Sequence, residues 1–179
     1  PAWRFCHTAL ASTELHNQLH TVQQNLSILA PLGLDIDDAP ATMGYSEQDW
    51  LASRALLPEG FQDNYIVIQP TSRWFFKCWR EARMSALINA LSEAGYPVVL
   101  TSGPDAKEKQ MIDTIMTGCP NARLYSLAGQ LTLRQLASLI DHARLFIGVD
   151  SVPMHMAAAL GTPLVALFGP SKLTFWRPW

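Results

Sequence analysis

The sequence predicts an α/β fold, a Rossmann-like doubly wound parallel sheet. Two observations carry this. Between residues 64 and 169, short runs recur that are apolar at nearly every position. Segments with apolar residues three or four apart separate them. Strands that are apolar throughout belong to a sheet covered on both faces. Strands that alternate with helices belong to right-handed parallel crossovers.

Each element follows from local signals. Ser12 to Ala30 is expected as one helix, with Ser12 as cap and Leu15, Leu19, Val22, Leu26 and Leu29 on one face. Pro31 and Gly33 stop it. Residues 31–45 form a turn-rich connector. Ser46 and Asp49 make a capping box for a short helix to about Leu57, which Pro58 and Gly60 end. Tyr65–Gln69 is the first strand. A helix carrying Met84, Leu87, Ile88 and Leu91 follows and ends near Gly95. Pro97–Thr101 is the second strand, and Ser102-Gly103-Pro104 a turn. Asp105 to about Met116 is a helix with Met111, Ile112 and Ile115 on one face. Ala122–Tyr125 is a weaker third strand. Thr132 caps a helix carrying Leu133, Leu136, Leu139 and Ile140. Leu145–Val149 is the fourth strand. Pro153 opens the next helix, where its missing N–H costs nothing. Gly161 ends that helix, and Pro163–Phe168 is the fifth strand.

Composition narrows the function classes. With 49% hydrophobic and 16% charged residues, the chain can bury a core and is not of the disordered class. A net charge of -2 supplies no positive field to recruit nucleic acid. Apolar stretches such as Pro163–Phe168 fall far short of the ~20 residues that span a bilayer. The three cysteines are scattered, with no CxxC and no Cys/His cluster. That pattern fits reduced thiols in the cytoplasm and argues against a structural metal site. The opening segment and the final SKLTFWRPW both look cut from something larger.

Ligands of doubly wound sheets bind outside the carboxyl ends of the strands. After the first strand, Thr71, Ser72, Arg73 and Lys77 combine hydroxyls and cations suited to a phosphate. The alternative is a capping Ser72, solvated cations and packed aromatics. After the second strand, Asp105 and Glu108 can accept hydrogen bonds from a ribose or base, or serve as cap and dipole charge. After the fourth strand, Asp150, Ser151, Val152 and His155 are the most informative group. His155 lies four residues beyond Ser151, so both can face one ligand. Here the alternative is an N-capping Asp150 or Ser151 and a partly buried histidine. Phe168-Gly169-Pro170-Ser171 forms a tight turn beside this group. Leu131 lines the same pocket or packs in the core. No GxGxxG, P-loop or GxSxG element is present. Asp35-Ile36-Asp37 formally reads Asp-x-Asp but sits in the connector, away from any strand end.

Taken together, several motifs resemble the carboxyl-terminal domain of family 9 glycosyltransferases, the lipopolysaccharide heptosyltransferases. They are Pro70-Thr71-Ser72-Arg73 with Lys77-x-Trp79, Gly103-Pro104-Asp105, Ala128-Gly129-Gln130-Leu131-Thr132-Leu133, Val149-Asp150-Ser151 with His155, and Phe168-Gly169-Pro170-Ser171. The Trp-rich details, TFWRPW among them, look most like the heptosyltransferase III subgroup. The resemblance implies a GT-B architecture of two Rossmann-like domains, this chain supplying the C-terminal half. Residues 1–60 would then be the end of the amino-terminal domain and the interdomain connector, and residues 61–179 the nucleotide-sugar-binding domain. It implies inverting transfer of L-glycero-D-manno-heptose from ADP-heptose to a lipid-linked inner-core acceptor of lipopolysaccharide. No cofactor and no metal are expected. The setting would be the cytoplasm, with peripheral contact at the cytoplasmic face of the inner membrane. By the same resemblance, Thr71, Ser72 and Lys77 contact the diphosphate, and Asp150, Ser151, Val152 and His155 form the nucleotide-sugar loop. Glu108 and Leu131 match adenosine-side positions. Val152 stands where relatives often carry glycine. No catalytic residue is assigned in this chain, because the family's general base belongs to the amino-terminal domain. The alternatives are a nucleotide-sugar-binding module without activity and another GT-B enzyme such as a nucleotide-sugar epimerase. A membrane-surface protein is a further reading of the aromatic and basic run at Arg73–Arg80.

Overall fold

The computed structural model describes residues 4–12, 16–34 and 39–179. It separates into two compact units. One holds the described residues up to Ala41 together with Lys172–Arg177 and Trp179, and the other holds Thr42–Ser171 and Pro178. Asp35-Ile36-Asp37 and Leu15 lie outside the described residues.

In the first unit, helix α1 spans only Thr21–Leu26, and a 3-10 segment continues over Ser27–Leu32. The single helix expected over 12–30 is therefore not formed. His20 is the reason. Its Nδ1 accepts from the Val22 N–H at 3.1 Å, and its own N–H donates to Gln23 Oε1 at 3.1 Å, a capping box that starts a helix here. The His20 ring is buried, stacked on Trp179 with centroids 4.8 Å apart, and its Nε2 lies 2.8 Å from the Arg177 carbonyl. Gln24 Nε2 donates to the carbonyls of His16 and Leu19, both at 2.8 Å, so the preceding turn is satisfied without helical bonds. Pro31 lies inside the 3-10 segment, which ends at Gly33 in the left-handed region. A short helix of Leu173–Trp176 also belongs to this unit.

The second unit carries α2 (Glu47–Ala55), β1 (Ile66–Gln69), α3 (Glu81–Glu93), β2 (Val98–Leu100), α4 (Ala106–Thr117), β3 (Leu124–Ser126), α5 (Leu133–Asp141), β4 (Leu145–Val149), α6 (Val152–Leu160) and β5 (Leu164–Leu167). The five strands form one parallel sheet of order β3-β2-β1-β4-β5. This is the doubly wound α/β arrangement expected, with elements displaced by a residue or two at their ends. The capping box of Ser46 and Asp49 is present at α2. Of residues 1–60, expected as the end of an amino-terminal domain and a connector, Thr42 onward falls in the same compact unit as the sheet. The α2 helix docks on α5. Ser53 Oγ and Ser138 Oγ are 2.9 Å apart, and Trp50 stacks on His142 at 3.6 Å and 5°. Beside them the Tyr45 hydroxyl donates to Asp141 Oδ2 at 2.5 Å. Burial first, and Asp141 second, push that phenol up to about 12.

Side chains alternate between the faces of the sheet. Val67, Val99 and Phe146 meet α5 and α6 in one buried cluster, with Leu139, Ile140 and Met154. Ile66, Ile68, Val98, Leu100 and Ile147 meet α3 and α4 in the other, with Met84, Ile88 and Ile112. Both faces are covered, which is why the strands are apolar throughout. Gly148 is required by packing: a Cβ there would lie 2.6 Å from the Phe146 ring, which is itself fully buried. Gly148→Ala is therefore expected to cost roughly 1–3 kcal/mol through overpacking. Urea unfolding should show a lower midpoint with an unchanged slope.

Candidate functional site

The winding of the sheet reverses between β1 and β4. These strands are neighbours in the sheet, yet β1 runs on into α3 on one face and β4 into α6 on the other. Diverging connections open a crevice at the carboxyl edge, the usual place for a ligand in such sheets. Most of the candidate residues named from the sequence come to this edge.

On the β4 side, the 3-10 turn Phe75–Lys77 brings Lys77 across the crevice. Lys77 Nζ lies 2.7 Å from Asp150 Oδ2. The side chains are 18% and 3% exposed, so this is a largely buried pair. Gly169 sits beside the same segment, and a Cβ at that position would be 3.7 Å from the Phe76 carbonyl. Ser151 is the N-cap of α6 but makes no side-chain cap, and its Oγ donates instead to the Val149 carbonyl at 3.2 Å. The Ser151 side chain therefore does not cap α6, whose N-terminus carries a partial positive charge. The alternative of Asp150 or Ser151 as a capping group is not what the structure adopts. Val152 is exposed and His155 half-buried on the first turn.

On the β2 side, a second group forms around Glu108. Thr71 Oγ1 donates to Glu108 Oε2 at 2.6 Å, and the Gly103 N–H donates to the same oxygen at 3.0 Å. Asp105 caps α4 by accepting from Lys107 N at 2.9 Å and Glu108 N at 3.4 Å. Behind Thr71 stand two residues that the sequence reading did not single out. Gln69 Nε2 donates to Thr71 Oγ1 at 3.0 Å, and Thr101 Oγ1 donates to Gln69 Oε1 at 2.6 Å. A signal for them existed: each is a polar residue ending an otherwise apolar strand, at the ligand edge. Gly129, at φ 68, packs closely on Pro104 and Lys109, and its N–H donates to the Ser102 carbonyl at 3.0 Å. That contact brings the loop leading to Leu131 beside the start of α4, which carries Glu108. Leu131 itself packs against the core cluster of the α5 face.

Ser72 is buried, and its Oγ accepts from the Trp74 N–H at 3.3 Å. It does not cap α3, which begins only at Glu81 with Arg80 as N-cap. Trp74, Phe75, Phe76 and Trp79, with Arg73 and Arg80, are exposed around Lys77. Among the described residues, no group of three His, Cys, Asp or Glu side chains is placed to hold a metal ion, and no helix is long and apolar enough to cross a membrane.

Breaking a buried ion pair from one side strands the other charge. Lys77→Met is therefore expected to destabilise the chain by about 1–3 kcal/mol, because Asp150 stays buried without its partner. The double variant Lys77→Met/Asp150→Leu should lose less than the sum of the single losses. Urea denaturation of all four chains measures this.

Comparison with known proteins supplies the family. The family model described as glycosyltransferase family 9 (heptosyltransferase) matches residues 6–179. The chain is 48% identical over 178 residues to lipopolysaccharide heptosyltransferase 3 of Escherichia coli, covering 99% of this chain and 52% of that protein. Among solved structures, a glycosyl transferase family 9 protein from Veillonella parvula superposes with a TM-score of 0.84 at 22% identity, covering 99% of this chain and 52% of that one. The ADP-heptose lipopolysaccharide heptosyltransferase II of Escherichia coli superposes with a TM-score of 0.65 at 29% identity, covering 76% and 42%. The chain spans about half the length of the curated relatives it matches. By its sequence over nearly its whole length, and by its fold, this chain belongs to glycosyltransferase family 9, the heptosyltransferase family.

Proposed function

We propose that this chain is the donor-binding half of a lipopolysaccharide heptosyltransferase. The longer protein would move L-glycero-D-manno-heptose, with inversion, from ADP-heptose to a lipid-linked inner-core acceptor. The observation that carries this is the Lys77–Asp150 pair, buried over the reversal point of the sheet beside the N-terminus of α6, which the Ser151 side chain does not cap. An ammonium and helix N–H groups form a site for a diphosphate. As the glycosidic bond breaks, charge grows on the departing ADP, and fixed donors stabilise that charge more than they stabilise the bound substrate.

In this reading Lys77, Ser72 and the N-terminus of α6 at Val152 face the diphosphate. Asp150, Ser151 and His155 face the heptose, and Glu108, Thr71 and Leu131 lie toward the adenosine. The proton of the acceptor hydroxyl passes to a carboxylate outside this chain. ADP-heptose enters as substrate, and no resident cofactor or metal has a part in the scheme. A cytoplasmic setting at the inner face of the membrane is part of the proposal. It is supported by the exposed Trp74, Phe75, Phe76 and Trp79 among Arg73 and Arg80, a surface suited to an anionic, acyl-bearing partner.

Calorimetric titration with ADP, UDP and ADP-heptose tests the donor assignment. Adenine nucleotides should bind in preference to UDP, and Asp150→Ala and Lys77→Ala should each weaken binding by at least about tenfold, the scale of one lost charge-assisted contact. Equal binding of ADP and UDP, or unchanged affinity in both variants, would count against it. Sedimentation with anionic vesicles tests the surface. Binding that survives high salt is expected, whereas binding lost with salt would indicate attraction by charge alone.

A further inference from the structure

We propose that Gln69 and Thr101 are positioning residues for the nucleotide site, acting through Thr71 on the Glu108 carboxylate. The inference rests on the donor-site reading above and extends it to residues behind the crevice that a ligand does not touch.

Four side chains form one directed chain. Thr101 donates to Gln69 Oε1 at 2.6 Å, Gln69 Nε2 donates to Thr71 Oγ1 at 3.0 Å, and Thr71 donates to Glu108 Oε2 at 2.6 Å. Gln69, Thr71 and Thr101 are 4%, 0% and 2% exposed, so water does not compete for these bonds. Their polarity is set from the acid end. An ionised carboxylate only accepts. Thr71 must therefore spend its one hydrogen on Glu108, and its oxygen must accept from Gln69. Gln69 must then turn its amide nitrogen toward Thr71 and its oxygen toward Thr101, which must donate. Rotating the Gln69 amide by half a turn would face its oxygen to Thr71 and draw the Thr71 hydrogen away from Glu108.

Two consequences follow for the site. The Thr71 hydroxyl has no hydrogen left for a phosphate oxygen, which itself only accepts. Its role here is to orient Glu108. Both bonds to Glu108, from Thr71 and from the Gly103 N–H, end on Oε2. Oε1 takes neither of these bonds, so the carboxylate is fixed in rotation and offers that oxygen to a donor on the ligand. β1 and β2 thus define the angle of an acid carried by α4, although neither strand supplies a group that meets the nucleotide. Sites held in this way lose affinity when the supporting residue changes and the contacting residue does not.

A double-mutant cycle on this chain tests the proposal, read by calorimetric titration with ADP. Thr101→Val keeps the shape of the side chain and deletes only the donor; it should weaken ADP binding by about 3–10-fold. Thr101→Ser should restore affinity to within about twofold, since the hydroxyl returns. In a Glu108→Ala background, Thr101→Val should change nothing, because the group it acts on is gone. An equal loss from Thr101→Val in both backgrounds would show a general structural role and overturn the proposal. Unchanged affinity in the single variant would overturn it too. If the folded parent chain, checked by circular dichroism, binds no ADP, the donor-site reading fails and this inference fails with it. Binding by the parent with no coupling defeats this inference alone.

Discussion

A buried ammonium and carboxylate placed over the reversal point of the sheet are the constraint on which the rest of the site depends. Burying two charges is costly, and the Lys77–Asp150 pair persists because each offsets the other at 2.7 Å. Holding Lys77 there demands the 3-10 turn of residues 75–77, which delays the start of α3 to Glu81. Holding Asp150 there demands that β4 stop at Val149, so that the chain turns outward into α6. The surrounding aromatics cannot pack inward while the turn serves the lysine, and four of them remain at the surface.

The sheet was legible because its physics is local and repetitive. YIVIQ and LFIGV are apolar on consecutive residues, a pattern that only a doubly covered strand can hide. Capping signals worked where the acceptor was next door, as at Ser46, Asp105 and Thr132. The amino-terminal stretch departs from its sequence pattern for the opposite reason. Its leucines at helical spacing suggest one long helix. The helix start is decided by His20, whose ring is committed to Arg177 and Trp179, far away in sequence. No periodicity reveals a partner that distant.

The site divides along the same line. Asp150, Ser151 and His155 announce themselves by clustering within six residues at a strand end. The pairing of Lys77 with Asp150, 73 residues apart, is visible only in three dimensions. Gln69 and Thr101 are inconspicuous in the sequence because each reads as the polar end of an apolar strand. Their meaning comes from parallel pairing, which sets Ile68 against Leu100 and so brings the residues that follow each of them side by side. Thr71, conversely, looks in sequence like a phosphate donor, and only the structure shows its hydroxyl 2.6 Å from Glu108 Oε2.

The contact between His20 and the segment 177–179 also bears on the order in which the molecule assembles. The unit that holds α1 includes residues from both early and late sequence, whereas the sheet unit is nearly continuous over 42–171. A ribosome releases residues in order, and continuous segments collapse as they emerge. The sheet can therefore close while the first unit still waits for Arg177 and Trp179. Until those residues arrive, the His20 ring lacks its stacking partner Trp179 and the Arg177 carbonyl. A product that stops short of residue 177 would carry a finished sheet and an α1 unit without its partners, the kind of exposed, half-made surface that chaperones and proteases recognise.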